Sequence, residues 1–293
     1  MSTILSQDST SFRWPRNDAL LSIVLRIVAL TAAGIVILIL VFLALESAPL
    51  VKKIGAIRFF TDRSWHPGSG QYSLVPMFVA SALLTLGSIA IATPIGVISA
   101  VFCNYYAPRP IAAFYRRMLD IAGGMPSVIY GYWGLVVLVP LIAQISGPGT
   151  SLIAGILVLA IMILPTILLV TDACVANIPE HYLHGAAALG VTRSAIIWKL
   201  VVPAIKPGIL TAVLLGATRA IGETMVVLMV CGNIVQIPQG VFDPVRALTS
   251  NIALEMAYAL GDHRASLFVS GLLLLLLVFC LVVVHERMSN GYR

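Results

Sequence analysis

Six long apolar runs, each bounded by polar clusters, organise this chain, and every one of them is long enough to cross a bilayer as a helix. The first runs from Ala19 to Leu45 and is interrupted only by Arg26, near the start, where a long side chain reaches back to the interface. At ~1.5 Å per residue it spans the ~30 Å of hydrocarbon with room for tilt. The second, Leu74 to Phe102, carries Pro94, which predicts a kink, and the small residues Ser81, Gly87, Ser88, Gly96 and Ser99, which suit close helix packing in lipid. In the third, Asp120 to Ile142, Gly123, Gly124, Pro126, Ser127, Gly131 and Gly134 crowd the first half. Such residues at membrane depth predict a broken helix or a close backbone approach, serving either a gate or packing. The fourth run, Leu152 to Val170, holds Pro165 and has Asp172 beyond its end; the fifth is Gly208 to Val230 and the last Ala265 to Val284.

The connections differ in character. Residues 46–73 form a polar segment with Lys52, Lys53, Arg58, Asp62 and Arg63, in which Trp65 reads as an interfacial anchor and His66 as a surface histidine. Pro108 to Arg117 reads as a short basic turn. Residues 179–203 show an amphipathic helix–turn–helix pattern too polar to cross, and within Cys231 to Arg264 the stretch NIALEMAYAL reads as an amphipathic surface helix. The predicted organisation is therefore an all-α polytopic helix bundle: a tail over 1–18, a first span over 19–45, a connection over 46–73, a core over 74–287 with its polar insertion at 179–203, and a tail over 288–293. Six crossings put both termini on one side. With that side cytoplasmic, Arg13, Arg16, Arg26, Arg109, Arg116, Arg117, Arg193, Lys199, Lys206, Arg287 and Arg293 lie inside, against Lys52, Lys53, Arg58, Arg63, Arg246 and Arg264 outside, the bias expected of a cytoplasmic face.

Composition narrows the function classes. Only 10% of residues are charged and 59% are apolar, with a mean hydropathy of +1.01, which excludes an ordinary soluble domain. The net charge of +6 follows membrane topology and is no argument for nucleic acid as a partner. Cys103, Cys174, Cys231 and Cys280 are far apart, and Glu180, His181 and His184 lack a further ligand, so no metal site is predicted. The chain has no HExxH or nucleophile elbow for an intramembrane enzyme, and no GxxxxGK[ST] loop to hold nucleotide phosphates.

The most demanding residues are Arg219 and Glu223, set four apart in the apolar run around GATRAIGETMVVLMVCGN. One helical turn would put both side chains on one face. An ion at mid-membrane depth costs between ~3 and more than ~10 kcal/mol unless it is paired or hydrated. Two readings follow: a neutralised salt bridge that packs helices, or a cationic station for an anion crossing the bilayer, with Glu223 holding Arg219 in place. An arginine fork matches the oxygens of phosphate-like anions. A secondary anion transporter would want the same arginine.

At His184 to Pro203 the chain resembles the coupling motif of ABC-importer permeases, Glu-Ala-Ala, three residues, Gly, nine residues, Ile-x-Leu-Pro: Ala186, Gly190 and Pro203 match, Leu200 and Val202 are conservative, and Gly185 and His184 stand where alanine and glutamate are usual. GGMPSVIYGYWGLVVLVP, LAIMILPT, RAIGETMVVLMVCGN and the early Trp65-His66-Pro67 are similar to the phosphate-specific permeases, of the PstC type more than the PstA type. The resemblance implies a type I ABC importer permease fold in a bacterial cytoplasmic membrane. It implies a PstA-type second permease, a PstB-type ATPase dimer that binds ATP and magnesium, a soluble phosphate-binding protein, and no cofactor in this chain. It also implies that Arg219 and Glu223 line the substrate pathway and that His184, Gly185, Ala186, Gly190 and Pro203 face the ATPase, with Ala186 and Gly190 as small contact residues. Sulfate, molybdate or phosphonate is the alternative cargo.

Overall fold

The computed structural model describes residues 17–62 and 64–290, so residues 1–16 of the first predicted tail, 291–293 of the second, and Arg63 lie outside the described residues. Twelve helices and one hairpin of two-residue strands, joined by a 3-10 turn at Pro67–Ser69, follow in order, among the described residues: α1 (Asn17–Ile54), α2 (Arg58–Thr61), β1 (Trp65–His66), β2 (Gln71–Tyr72), α3 (Val75–Tyr105), α4 (Arg109–Gly124), α5 (Ser127–Ala143), α6 (Leu152–Ala176), α7 (Glu180–Ala188), α8 (Arg193–Ala204), α9 (Lys206–Gly222), α10 (Met225–Val230), α11 (Leu248–Glu255) and α12 (Gly261–Asn290). Four of them, α1, α3, α6 and α12, are long and apolar enough to cross a membrane unbroken. Two bent pairs, α4–α5 at 96° and α8–α9 at 63°, bring the number of spans to six if each pair is one.

The small residues of α3 explain the bundle's centre. Cβ atoms added at Gly87 and Gly96 would fall 2.6 and 3.0 Å from side-chain carbons of Ile156 and Ile167 of α6, and one at Gly155 would fall 2.6 Å from Leu84. Ser81 and Ser88 are buried and bonded. These approaches lay α3 and α6 side by side in parallel, as expected where small side chains replace bulk in lipid. The contacts of Gly208 with Cys174 and of Gly216 with Ile167 then run α9 antiparallel along α6. Overpacking such a contact costs ~1–3 kcal/mol. Gly87→Leu is therefore expected to lower the thermal midpoint of the purified protein by several degrees, while leucine at the exposed Ile98 leaves it unchanged.

A second core closes one end of the bundle: Leu50, Phe59, Trp65, Tyr72, Leu74, Met77, Leu248 and Leu267 pack where α1, α2, the hairpin, α11 and α12 converge. Burial, with Asp262 adding to it, holds the Tyr72 phenol above its ordinary pKa. Two expectations are corrected here. Trp65 is not an interfacial anchor: it is 5% exposed, and its indole N–H donates to Glu255 at 2.9 Å. The helix around NIALEMAYAL begins earlier, at Leu248, and is not a surface helix, because Leu248, Thr249, Ser250, Asn251 and Glu255 are buried. Its apolar periodicity marks a face packed on α3 and α12.

Other boundaries move for local reasons. The basic turn predicted over Pro108 to Arg117 is the first half of α4, since Arg109-Pro110 suits a first helical turn and Ala112 and Leu119 bury one side. The third span is not one straight helix from Asp120, because Pro126 bars Met125 from the helical region and leaves it extended at φ −69°, ψ 136°. The first helix runs past Leu45 to Ile54, and the fourth runs past Val170 to Ala176, taking Asp172 into its last turns.

Candidate functional site

The α4–α5 bend and a further break, between the end of α9 at Gly222 and the start of α10 at Met225, both lie beside the middle of α6. The α4 side arrives through Gly123, where an added Cβ would lie 3.7 Å from Pro165. The α9 side arrives through Arg219, whose Nη1 donates to the Thr166 hydroxyl at 3.1 Å. Beyond the breaks, α5 and α10 lie against one another, because Gly131 brings its backbone so close that a Cβ there would be 2.9 Å from the Met229 sulfur and 3.2 Å from the Val226 Cα. Tyr130 donates to the carbonyl of Ala122 at 2.7 Å, bridging the first bend beside the Met125 N–H, which bonds the same carbonyl at 3.2 Å.

Arg219 and Glu223 do not share a helix. α9 ends at Gly222, and Glu223 has extended backbone at φ −72°, ψ 127°. The predicted one-turn pairing on a common face is thus absent: among the described residues the two make no ion pair, and Arg219 has Thr166 as its hydrogen-bond partner. Glu223 instead turns forward. Its Oε1 accepts from the backbone N–H groups of Met225 and Val226 at 3.1 and 3.3 Å, and its carbonyl accepts from Thr249 at 2.8 Å. A carboxylate at the start of one helix and a guanidinium in the last turn of another are each favoured by the local backbone dipoles. The consequence for Arg219 is electrostatic. A neutral hydroxyl orients it without cancelling its charge, so the half-buried guanidinium, near the α9–α10 break, has no ion-pair partner among the described residues.

The glycines divide into two groups. Gly131 and Gly134 are packing residues, the latter leaving a Cβ only 2.6 Å from Val158. Gly124 has open space around it, and Pro126 and Ser127 sit at the bend itself. Gly124, Pro126 and Ser127 thus lie at the bend, and Gly123 lies where α4 approaches α6.

At the opposite end from the hairpin, α7 and the turn after it stand out from the bundle. His184 and Gly185 are exposed, Ala186 is half-buried, and the His184 ring lies 3.9 Å from the Glu180 carboxylate one turn earlier. Pro203 is exposed near the end of α8. Gly190 is not on a helix face with Ala186: it lies past the end of α7 with φ +74°, and its N–H bonds the carbonyl of Ala187. The glycine ends the helix in the left-handed conformation that other residues adopt at a cost of ~1–2 kcal/mol. Gly190→Ala is expected to distort this turn at a cost of ~1–2 kcal/mol and to speed protease cleavage between α7 and α8 severalfold, whereas Leu189→Ala, one residue earlier at φ −82°, leaves the turn intact.

Sequence reasoning missed Thr166, Tyr130 and Thr249. Thr166 had a signal: it is a polar residue next to the proline of the fourth apolar run, LAIMILPT. It also missed a bidentate ion pair, Arg116 with Asp172. Among the described residues no three His, Cys, Asp or Glu side chains gather as a metal site.

A helical bundle with paired breaks around an intramembrane arginine, and with a polar helix–turn–helix standing clear of one end, defines an integral membrane permease. Residues 92–293 match the family described as binding-protein-dependent transport system inner membrane component, and the chain belongs to that family. It is 38% identical over 247 residues to the probable ABC transporter permease protein YqgH of Bacillus subtilis, covering 82% of this chain and 80% of that protein. It is 29% identical to the phosphate transport system permease protein PstC of Mesorhizobium japonicum, over 97% of this chain and 93% of that one. The PstC protein of Haemophilus influenzae is 31% identical over 85% of this chain and 86% of its own length. Among solved structures, the permease fold recurs in a bacterial alginate ABC transporter, with TM-score 0.66 at 14% identity, covering 94% of this chain and 97% of that chain. It recurs also in the MetNI methionine ABC transporter, with TM-score 0.56 at 20% identity, over 75% and 94%.

Proposed function

We propose that this chain is the PstC-type permease subunit of an ATP-driven phosphate importer. It lies in the bacterial cytoplasmic membrane with both termini inside, beside a PstA-type second permease. A soluble phosphate-binding protein delivers the anion to the end of the bundle that carries the hairpin, and a PstB-type ATPase dimer, holding ATP and magnesium, engages α7 and the Gly190 turn. The observation that carries the reading is the half-buried Arg219 guanidinium near the α9–α10 break, without an ion-pair partner among the described residues. An anion arriving there gains a planar donor fork and loses it again when the breaks move, which satisfies the need to bind well enough to enter and weakly enough to leave. The PstC relatives support phosphate as the anion.

The test is labelled-phosphate uptake into vesicles containing the full complex, with and without internal ATP and with sulfate as competitor. Uptake that requires ATP and resists sulfate is the expected result. Uptake displaced by equimolar sulfate, molybdate or phosphonate reassigns the cargo, and uptake by this chain alone on an ion gradient would make it a secondary transporter.

A further inference from the structure

The inference concerns Arg116, Asp172 and Asn104, none of which touches the Arg219 site. Arg116 of α4 donates from Nε to Oδ2 of Asp172 at 2.8 Å and from Nη2 to Oδ1 at 2.9 Å. Asn104, in the last turn of α3, donates to the same Oδ1 at 2.6 Å and accepts from Arg116 Nη2 at 3.2 Å. Three helices are thus gripped at one point by a fork-on-fork pair and a shared amide, a geometry that lysine cannot reproduce.

The position of this clasp gives it a use. Asp172 lies in the final turns of α6, which ends at Ala176 and passes through Pro179 directly into α7. Arg116 and Gly123 are seven residues apart on α4, and so are Asp172 and Pro165 on α6. Residues at i and i+7 share a helix face. One side of α4 therefore follows α6 for about two turns, or ~10 Å, with Arg116 on Asp172 at one end, Gly123 near Pro165 at the other, and Leu119 buried between them. Gly123 has no side chain to grip α6; it lies near Pro165, next to Thr166, and two residues before the bend at Met125. Apolar packing at Leu119 and beside Gly123 is non-directional and lets one helix shift on the other, whereas the ion pair and shared amide fix their relative position.

We infer that the Arg116–Asp172–Asn104 clasp is the mechanical link by which a displacement of α7 reaches the bend at Pro126: it makes α4 and α6 move as one body. This rests on the ATP-driven reading above. Arg116 acts through α4 and is a positioning residue, not a contact of the transported anion.

The test is made on the full importer complex in lipid nanodiscs and vesicles, with Cys174 and Cys280 replaced by alanine. Spin labels are placed at Phe114→Cys on α4 and Ala176→Cys on α6, both exposed positions, and their separation is measured without nucleotide and with ATP trapped by vanadate. The separation is expected to be the same in both states with Arg116 present, and to shift or broaden with nucleotide in Arg116→Gln and Arg116→Lys. In vesicles, both variants hydrolyse ATP within twofold of the parent but move at least tenfold less phosphate per ATP, and the exchanged pair Arg116→Asp with Asp172→Arg recovers part of that ratio. A parent separation that changes between nucleotide states overturns the inference, and so does an Arg116→Lys separation as fixed as the parent's. Failure of the parent to take up phosphate would instead defeat the assigned cargo, leaving the distance measurement to decide on the clasp.

Discussion

Arg219→Gln is expected to insert, assemble with its partners and hydrolyse ATP, yet to take up phosphate roughly 10- to 100-fold more slowly than the parent complex. The size follows from the bond lost: a hydrogen bond to a charged group contributes ~1.5–3 kcal/mol, and glutamine keeps a donor for Thr166 while removing the charge. Because the parent guanidinium is bonded to a hydroxyl and not to Glu223, its removal leaves no buried carboxylate stranded, so the fold should tolerate it. Glu223→Gln should behave differently. Its Oε1 accepts from Met225 and Val226 N–H groups, which an amide oxygen also does, so uptake should fall by less than the arginine change. Uptake assays on both variants, normalised to assembled complex, separate the roles. Equal losses would restore the picture of a functional ion pair, and full uptake by Arg219→Gln would remove Arg219 from the anion's route.

The spans were legible because hydropathy over twenty residues is dictated by the solvent, and lipid accepts almost nothing but helix. The small residues of the second run were legible for the same reason, and Gly87 and Gly96 do sit at the α3–α6 contact. Spacing misled where the backbone departed from a helix. Arg219 and Glu223 are one turn apart only if the helix continues, and the sequence offers Gly222 as a hint but no certain stop. The extended conformation at Glu223 is held by Thr249, twenty-six positions away in the chain. Long-range partners of this kind carry no local pattern. The same limit hid the Arg116–Asp172 pair, whose two halves each read as an ordinary charge flanking a span. Gly190 shows the converse: the motif picks out the glycine, but only its φ of +74° shows that the backbone of the turn itself calls for one.

Glu255→Ala is expected to be the most destabilising single change in the cap over the hairpin end. Its carboxylate, 8% exposed, accepts from Arg246 Nη1 at 2.6 Å and from the Trp65 indole at 2.9 Å, and lies 2.8 Å from His263 Nε2. Arg246 in turn donates to the carbonyl of Asn233 and to the Asn251 side chain. The one carboxylate therefore joins the hairpin, the 233–246 connection, α11 and the start of α12. Alanine leaves the Trp65 donor without its acceptor and the half-buried Arg246 charge with only the neutral acceptors of Asn233 and Asn251, beside a cavity open to solvent, so the cost falls below the ~3–5 kcal/mol of breaking a fully buried pair from one side. The loss should appear as a lower thermal midpoint and as protease cleavage near the hairpin, with the α3–α6 centre still resistant. Trp65→Phe tests the same network from its rim. It removes one neutral donor but keeps the aromatic packing on Tyr72, so about 1 kcal/mol is expected. A Glu255→Ala protein as stable as the parent would mean that the cap is held by its apolar core alone, and that the charges bridging its elements contribute nothing net.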